Sequence, residues 1–111
     1  RTTNRGASWE KMSDYKNTSA QYYSEIFCDP IDVNKIYILD TFSSITTDGG
    51  KTFTQISTKA RHVDDHAFWI NPKNTKHYMI GGDGGIYVTY DAGQNFKWKE
   101  NLPTLQFPAP V

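Results

Sequence analysis

Apolar and polar residues alternate along this chain in short bursts. Ile86-Tyr87-Val88-Thr89-Tyr90 and Phe96-Lys97-Trp98-Lys99 send successive side chains to opposite faces, the period of a half-buried β-strand. No stretch keeps a helical period, so almost no helix is expected. Turn chemistry separates the bursts: Asp29-Pro30, Asp48-Gly49-Gly50, Asn71-Pro72 and Asp91-Ala92-Gly93. The pattern predicts strands near residues 23–28, 35–39, 43–47 and 52–57, then near 67–70, 77–81, 86–90 and 95–99. A further strand is predicted at residues 9–12.

The bursts repeat. Thr2-Thr3-Asn4-Arg5-Gly6-Ala7-Ser8-Trp9, Thr46-Thr47-Asp48-Gly49-Gly50-Lys51-Thr52-Phe53 and Thr89-Tyr90-Asp91-Ala92-Gly93-Gln94-Asn95-Phe96 align without gaps, 44 and 43 residues apart. Asp29-Pro30 and Asn71-Pro72 keep a similar step of 42. Four strands in a little over forty residues is the size of one propeller blade, about 40–45 residues. The expected fold is therefore all-β, a β-propeller fragment of four-stranded antiparallel blades. Residues 1–14 would be the outer strand of a preceding blade and a linker, 15–58 a first complete blade, 59–101 a second, and 102–111 a lead-in to a next blade.

Composition narrows the function classes. Twelve basic and twelve acidic side chains balance in 111 residues, which leaves no electrostatic footprint for nucleic acid. No apolar run is long enough to insert in a membrane. Cys28 is the only cysteine, which excludes an internal disulfide and a cysteine metal cluster. Within Ile26-Phe27-Cys28 it is expected to be a small buried hydrophobe.

The octamers follow the pattern Ser/Thr-x-Asp-x-Gly-x-Thr/Ser-aromatic, and each position has a mechanical task. Asp48, Asp91 and, less strongly, Asn4 can accept hydrogen bonds from turn amides. Gly6, Gly50 and Gly93 permit positive φ. Trp9, Phe53 and Phe96 are expected to tuck back on the hairpin. On these residues the chain resembles the sortilin-like, Asp-box (BNR-type) multi-blade propellers, often labelled glycosyl hydrolase. His62-Val63-Asp64-Asp65-His66-Ala67-Phe68-Trp69-Ile70-Asn71-Pro72 is similar to that family's His-x-Asp-x-His-x-x-Trp-Ile-Asp-Pro segment. Gly81-Gly82-Asp83-Gly84-Gly85-Ile86-Tyr87 is similar to its Gly-x-Asp-Gly-Gly-x-Tyr segment, and 101–107 to its blade-closing segment. The resemblance implies a larger secreted protein, extracellular or periplasmic. Two blades and a loose strand would leave apolar faces open, so the partners expected are further blades of a parent propeller or other copies of the chain.

Blade geometry puts the octamer turns on one rim and the loops entering each first strand, with those between second and third strands, on the other. His62, Asp64, Asp65, His66, Asp83 and Asp40 should share that second rim with Gln21, Tyr22 and Tyr23. Three readings of this cluster compete. His66 and Asp83 tie strands together; or the rim binds a glycan, a peptide or a divalent cation; or it belongs to a xyloglucanase-like glycoside hydrolase, with Asp83 as the candidate catalytic carboxyl. Glycosidases need two carboxyls at a defined separation, and the partner of Asp83 would lie in a blade outside this chain. A non-catalytic binding or scaffold segment is therefore the expected function. Tyr22, Tyr23, Tyr87 and Trp69 are either a sugar-stacking surface or inter-blade core, and His77 is expected to be solvated.

Overall fold

The structure is a computed structural model that describes residues 1–100. The expected lead-in at 102–111, and residue 101, lie outside the described residues. Eight strands are present: β1 Ile26–Cys28, β2 Ile36–Ile38, β3 Ser44–Thr46, β4 Thr54–Gln55, β5 Asp65–Ile70, β6 Tyr78–Gly82, β7 Gly85–Thr89 and β8 Lys97–Trp98. They form two four-stranded sheets, each an antiparallel meander in sequence order. No helix occurs among the described residues.

Register explains the packing. Phe27 lies opposite Tyr37 and Tyr37 opposite Ile45, so these three point to one face of the first sheet. Phe68 lies opposite Ile80 and Ile70 opposite Tyr78, which builds one face of the second. The two faces meet in a core of Tyr37, Ile56, Tyr78 and Ile80, with Phe27, Ile45, Phe68, Ile70 and Phe96 around it. Phe68 is the hub: its ring lies 4.6 Å from Tyr37, 5.1 Å from Tyr78 and 5.3 Å from Phe27. Burying Ile80 alone contributes about 1.5–3 kcal/mol.

The octamer turns satisfy their own amides. Asp48 Oδ1 accepts from the Thr52 amide at 2.9 Å and the Lys51 amide at 3.0 Å, and Thr46 Oγ1 accepts from the Gly50 amide at 3.0 Å. Asp91 accepts from the Asn95 amide at 2.9 Å, and Asn4 from the Ser8 amide at 2.9 Å. Gly6, Gly50 and Gly93 all have positive φ, at 86°, 98° and 86°. Phe53 stacks on Tyr15 and Phe96 lies against Tyr78.

Two expectations fail here. Residues 9–12 form no strand: Arg1 and Glu10 exchange a pair of backbone bonds, at 2.7 and 2.8 Å, and a single rung is not a ladder. A Cβ on Gly6 would lie 3.7 Å from the Trp9 ring, yet Trp9 stays 74% exposed. Cys28 is exposed, not buried, because it shares a face of β1 with Ile26 that no sheet covers among the described residues.

Candidate functional site

Strand β5 starts at a bulge. Between Asp65 and Ala67 its register against β6 shifts, and the extra residue is His66. Immediately before it, Asp64 has φ 67°, a left-handed conformation that re-aims the chain. Backbone bonds knit this corner to its neighbours. The Asp64 amide donates to Thr41 O at 3.0 Å and the Asp65 amide to Asp40 O at 3.3 Å, which joins the two sheets. The Asp83 amide donates to Asp64 O at 3.2 Å, which brings the β6–β7 turn beside them. His62 through His66, Asp83 and the β2–β3 loop therefore meet on one rim.

The side chains then divide into two sets. Asp40 and Asp65 are each 2% exposed. Asp40 accepts from the Thr18 hydroxyl at 2.5 Å, the Thr18 amide at 2.9 Å and the Thr41 amide at 2.7 Å. Burial raises its pKa, but these donors outweigh burial and the net value lies below the ordinary one. Asp65 accepts from Arg61 Nη1 and Ser43 Oγ, both at 2.6 Å. Here burial wins over Ser43 and Arg61, and the pKa is raised. Both carboxylates have every oxygen committed inside the protein. The expectation that they present themselves to a ligand is corrected: a carboxylate this deep must be hydrogen-bonded or paired, and these are.

The second set stays at the surface. Asp83 and His66 meet at 3.2 Å between Oδ1 and Nε2, with half of the Asp83 side chain exposed. Tyr23 stacks on the His66 ring at 5.0 Å and donates its hydroxyl to Asp64 Oδ1 at 2.6 Å. Burial, then that bond to an anion, raises the Tyr23 pKa. Exposed His62 is fixed by its amide, which donates to the Tyr87 hydroxyl at 3.1 Å. Its Nδ1 lies 2.6 Å from Val63 O; a carbonyl only accepts, so Nδ1 is the donor in that bond. Among the described residues no three carboxylate, imidazole or thiol groups converge as metal ligands do, so the divalent-cation expectation has no site there.

The aromatics divide similarly. Tyr23 and Tyr87 are buried, whereas Tyr22 is 71% exposed beside Tyr23. Trp69 lies away from the rim, on the far face of β5, edge-on to His77. His77 is half-buried, not solvated: it stacks on Tyr90 at 4.4 Å. Sequence reasoning gave Arg61 no role, although it is the partner that lets Asp65 be buried. The signal was available as one basic residue just ahead of two acids and two histidines at the mouth of an apolar strand.

Two four-stranded antiparallel sheets packed face to face, joined at their inner ends, define a pair of β-propeller blades. Solved structures agree on that class. The chain is similar to a crystal structure described as an ancestral GH74 enzyme, at TM-score 0.57 and 14% identity over 68% of this chain. It spans 12% of that protein's length. No protein-family profile matches the sequence. No curated protein matches it either.

Proposed function

We propose that the chain is a non-catalytic binding segment of an extracellular, sortilin-like Asp-box propeller, and that its rim takes a glycan. The carrying observation is the division of the rim carboxylates and imidazoles. Asp40 and Asp65 are consumed in internal bonds, while His62, Asp64, His66 and Asp83 remain accessible beside the exposed ring of Tyr22. Carboxylates accept bonds from sugar hydroxyls, an imidazole nitrogen can do the same, and an exposed phenol offers a face for stacking.

A second reading is supported by the likeness in fold to an ancestral GH74 enzyme. On that reading Asp83 is one of two carboxyls of a glycoside hydrolase. Its pairing with His66 argues against a free acid, and Asp64 is held by Tyr23.

One titration separates them. The chain is mixed with xyloglucan oligosaccharides and followed by NMR, while released reducing ends are measured in parallel. Binding without hydrolysis, weakened about tenfold (roughly 1.4 kcal/mol) by Tyr22→Ala or Asp83→Asn, supports the binding reading. Hydrolysis lost in Asp83→Asn supports the second. Neither binding nor hydrolysis defeats the glycan assignment.

A further inference from the structure

The β6–β7 turn carries Asp83 between glycines, with Gly81 and Gly82 before it and Gly84 and Gly85 after it. Glycine has the widest backbone freedom of any residue, so this turn supplies little stiffness of its own. Side chains cannot stiffen it. Gly85 has φ 108°, a region that other residues rarely adopt, and a Cβ there would lie 2.9 Å from Trp98 Nε1. A Cβ on Gly82 or Gly84 would collide with Asp64 or His62. The β2–β3 turn of the first blade is built differently. Its residues Leu39, Asp40, Thr41 and Phe42 include no glycine, and Asp40 is clamped by Thr18 and Thr41. Among the described residues the Asp83 carboxylate meets only His66.

The second turn is held from outside. Ahead of Asp83, its amide donates to Asp64 O at 3.2 Å. Beyond Asp83, the Trp98 indole N–H donates to Gly84 O at 3.0 Å. The ladder puts that indole in place: Trp98 lies opposite Tyr87, and the Lys99 amide donates to Ile86 O at 2.9 Å. At the same ladder position the first blade has Gln55, opposite Ser44. Trp98 is 50% exposed and does not belong to the buried core, so its contribution is the grip on the turn.

We propose that Trp98 is a positioning residue for the rim. Its indole N–H holds the glycine turn so that Asp83 presents its carboxylate to one arrangement of sugar hydroxyls, which sets the epimer that the rim accepts. The ligand in this proposal rests on the glycan reading; the grip itself rests on the Trp98–Gly84 bond. Hydrogen bonds weaken steeply as donor and acceptor leave line, and selective sites hold their groups within about 0.5 Å. A loosened Asp83 reaches hydroxyls of either epimer, so releasing the turn costs discrimination.

The test compares the wild type with Trp98→Phe, which keeps an aromatic ring against Gly85 and removes the donor. Nitrogen-15 relaxation of the Gly84 and Gly85 amides reports the turn without any ligand. Order parameters near about 0.85 in the wild type should fall below about 0.6 in the variant, with those of Tyr87 and Val88 unchanged. The ratio of affinities for cello- and manno-oligosaccharides, far from one in the wild type, should narrow severalfold. Lost stability leaves that ratio untouched, because both sugars meet the same folded population. Equal amide mobility in the two proteins overturns the proposal, as does a wild type that binds both sugars equally or a ratio that Trp98→Phe does not change. Should the variant fail to fold, the wild-type indole resonances decide. The Trp98 N–H should exchange with water severalfold more slowly than that of Trp9, which is 74% exposed, and equal rates overturn the proposal. A wild type that binds neither sugar defeats the glycan reading, while the amide mobilities still judge the grip of Trp98, so the two failures are told apart.

Discussion

The Tyr23 hydroxyl and the Asp64 carboxylate are bonded at 2.6 Å across the junction of the two blades. Asp64 sits in a left-handed conformation that a non-glycine residue adopts at a cost, and this bond helps hold it there. Tyr23→Phe removes the hydroxyl and keeps the ring on His66. A bond to a charged acceptor contributes about 1.5–3 kcal/mol, so urea unfolding should show a loss of that order. An unchanged midpoint would show that the Asp64 turn is fixed by its backbone bonds alone.

Arg61 and Asp65 form a buried pair at 2.6 Å, with Arg61 also donating to Ser57 O and His62 O. Removing one partner strands the other charge in the core. Arg61→Leu and Asp65→Leu should each cost about 3–5 kcal/mol. The double variant should recover much of that, since two apolar side chains beside Phe96 need no solvation. Single costs that simply add would mean that the two charges are not coupled.

Stability should fall at both ends of the pH range. At the alkaline end Tyr23, Tyr37 and Tyr78 are raised, chiefly by burial, Tyr78 to about 12. Their contribution is complete below the unfolded phenol value of about 10 and is lost as pH climbs through the folded values. Tyr78 alone accounts for on the order of 3 kcal/mol. At the acid end Asp48 is held low by Thr52, Asp91 by Asn95, and Asp40 by Thr18 against the push of burial. Their contribution is present above about pH 4 and is lost as pH falls. Asp65, raised, has the opposite sign and offsets part of that loss. Urea midpoints from pH 2 to pH 12 test this, and a flat profile above pH 10 would contradict the burial of the tyrosines.

The fold was legible because its signals are local. Gly50 and Gly93 mark turns whatever surrounds them, and alternation in Ile86–Tyr90 does not depend on a partner. The rim was legible only as a neighbourhood. That Asp65 turns inward while Asp64 stays near the surface follows from a bulge at His66, and two adjacent carboxylates in a sequence do not announce which will be buried. Cys28 and residues 9–12 were misread for one reason. Their apolar pattern is that of a covered strand, but covering comes from tertiary neighbours and the pattern does not say whether they are present.

Gly82 and Gly84 separate stability from function on that same rim. A Cβ on Gly82 would collide with the Asp64 carbonyl oxygen, and its next neighbours are Asp64 C at 3.1 Å and Asp65 Cα at 3.2 Å. All three are backbone at the corner where the sheets join, so nothing can rotate aside. Gly82→Ala should cost about 1–3 kcal/mol and weaken the whole junction. A Cβ on Gly84 would instead meet the His62 Cβ, with His62 Cγ and the Tyr87 hydroxyl each at 2.9 Å. The His62 Cβ is fixed to its backbone, so the exposed residue has to shift as a whole, at the expense of its amide bond to Tyr87. Gly84→Ala should therefore leave the urea midpoint within about 1 kcal/mol of the parent while changing the affinity of the rim for oligosaccharide severalfold. A midpoint that drops as far as that of Gly82→Ala would place His62 in the supporting structure of the junction instead of on its binding surface.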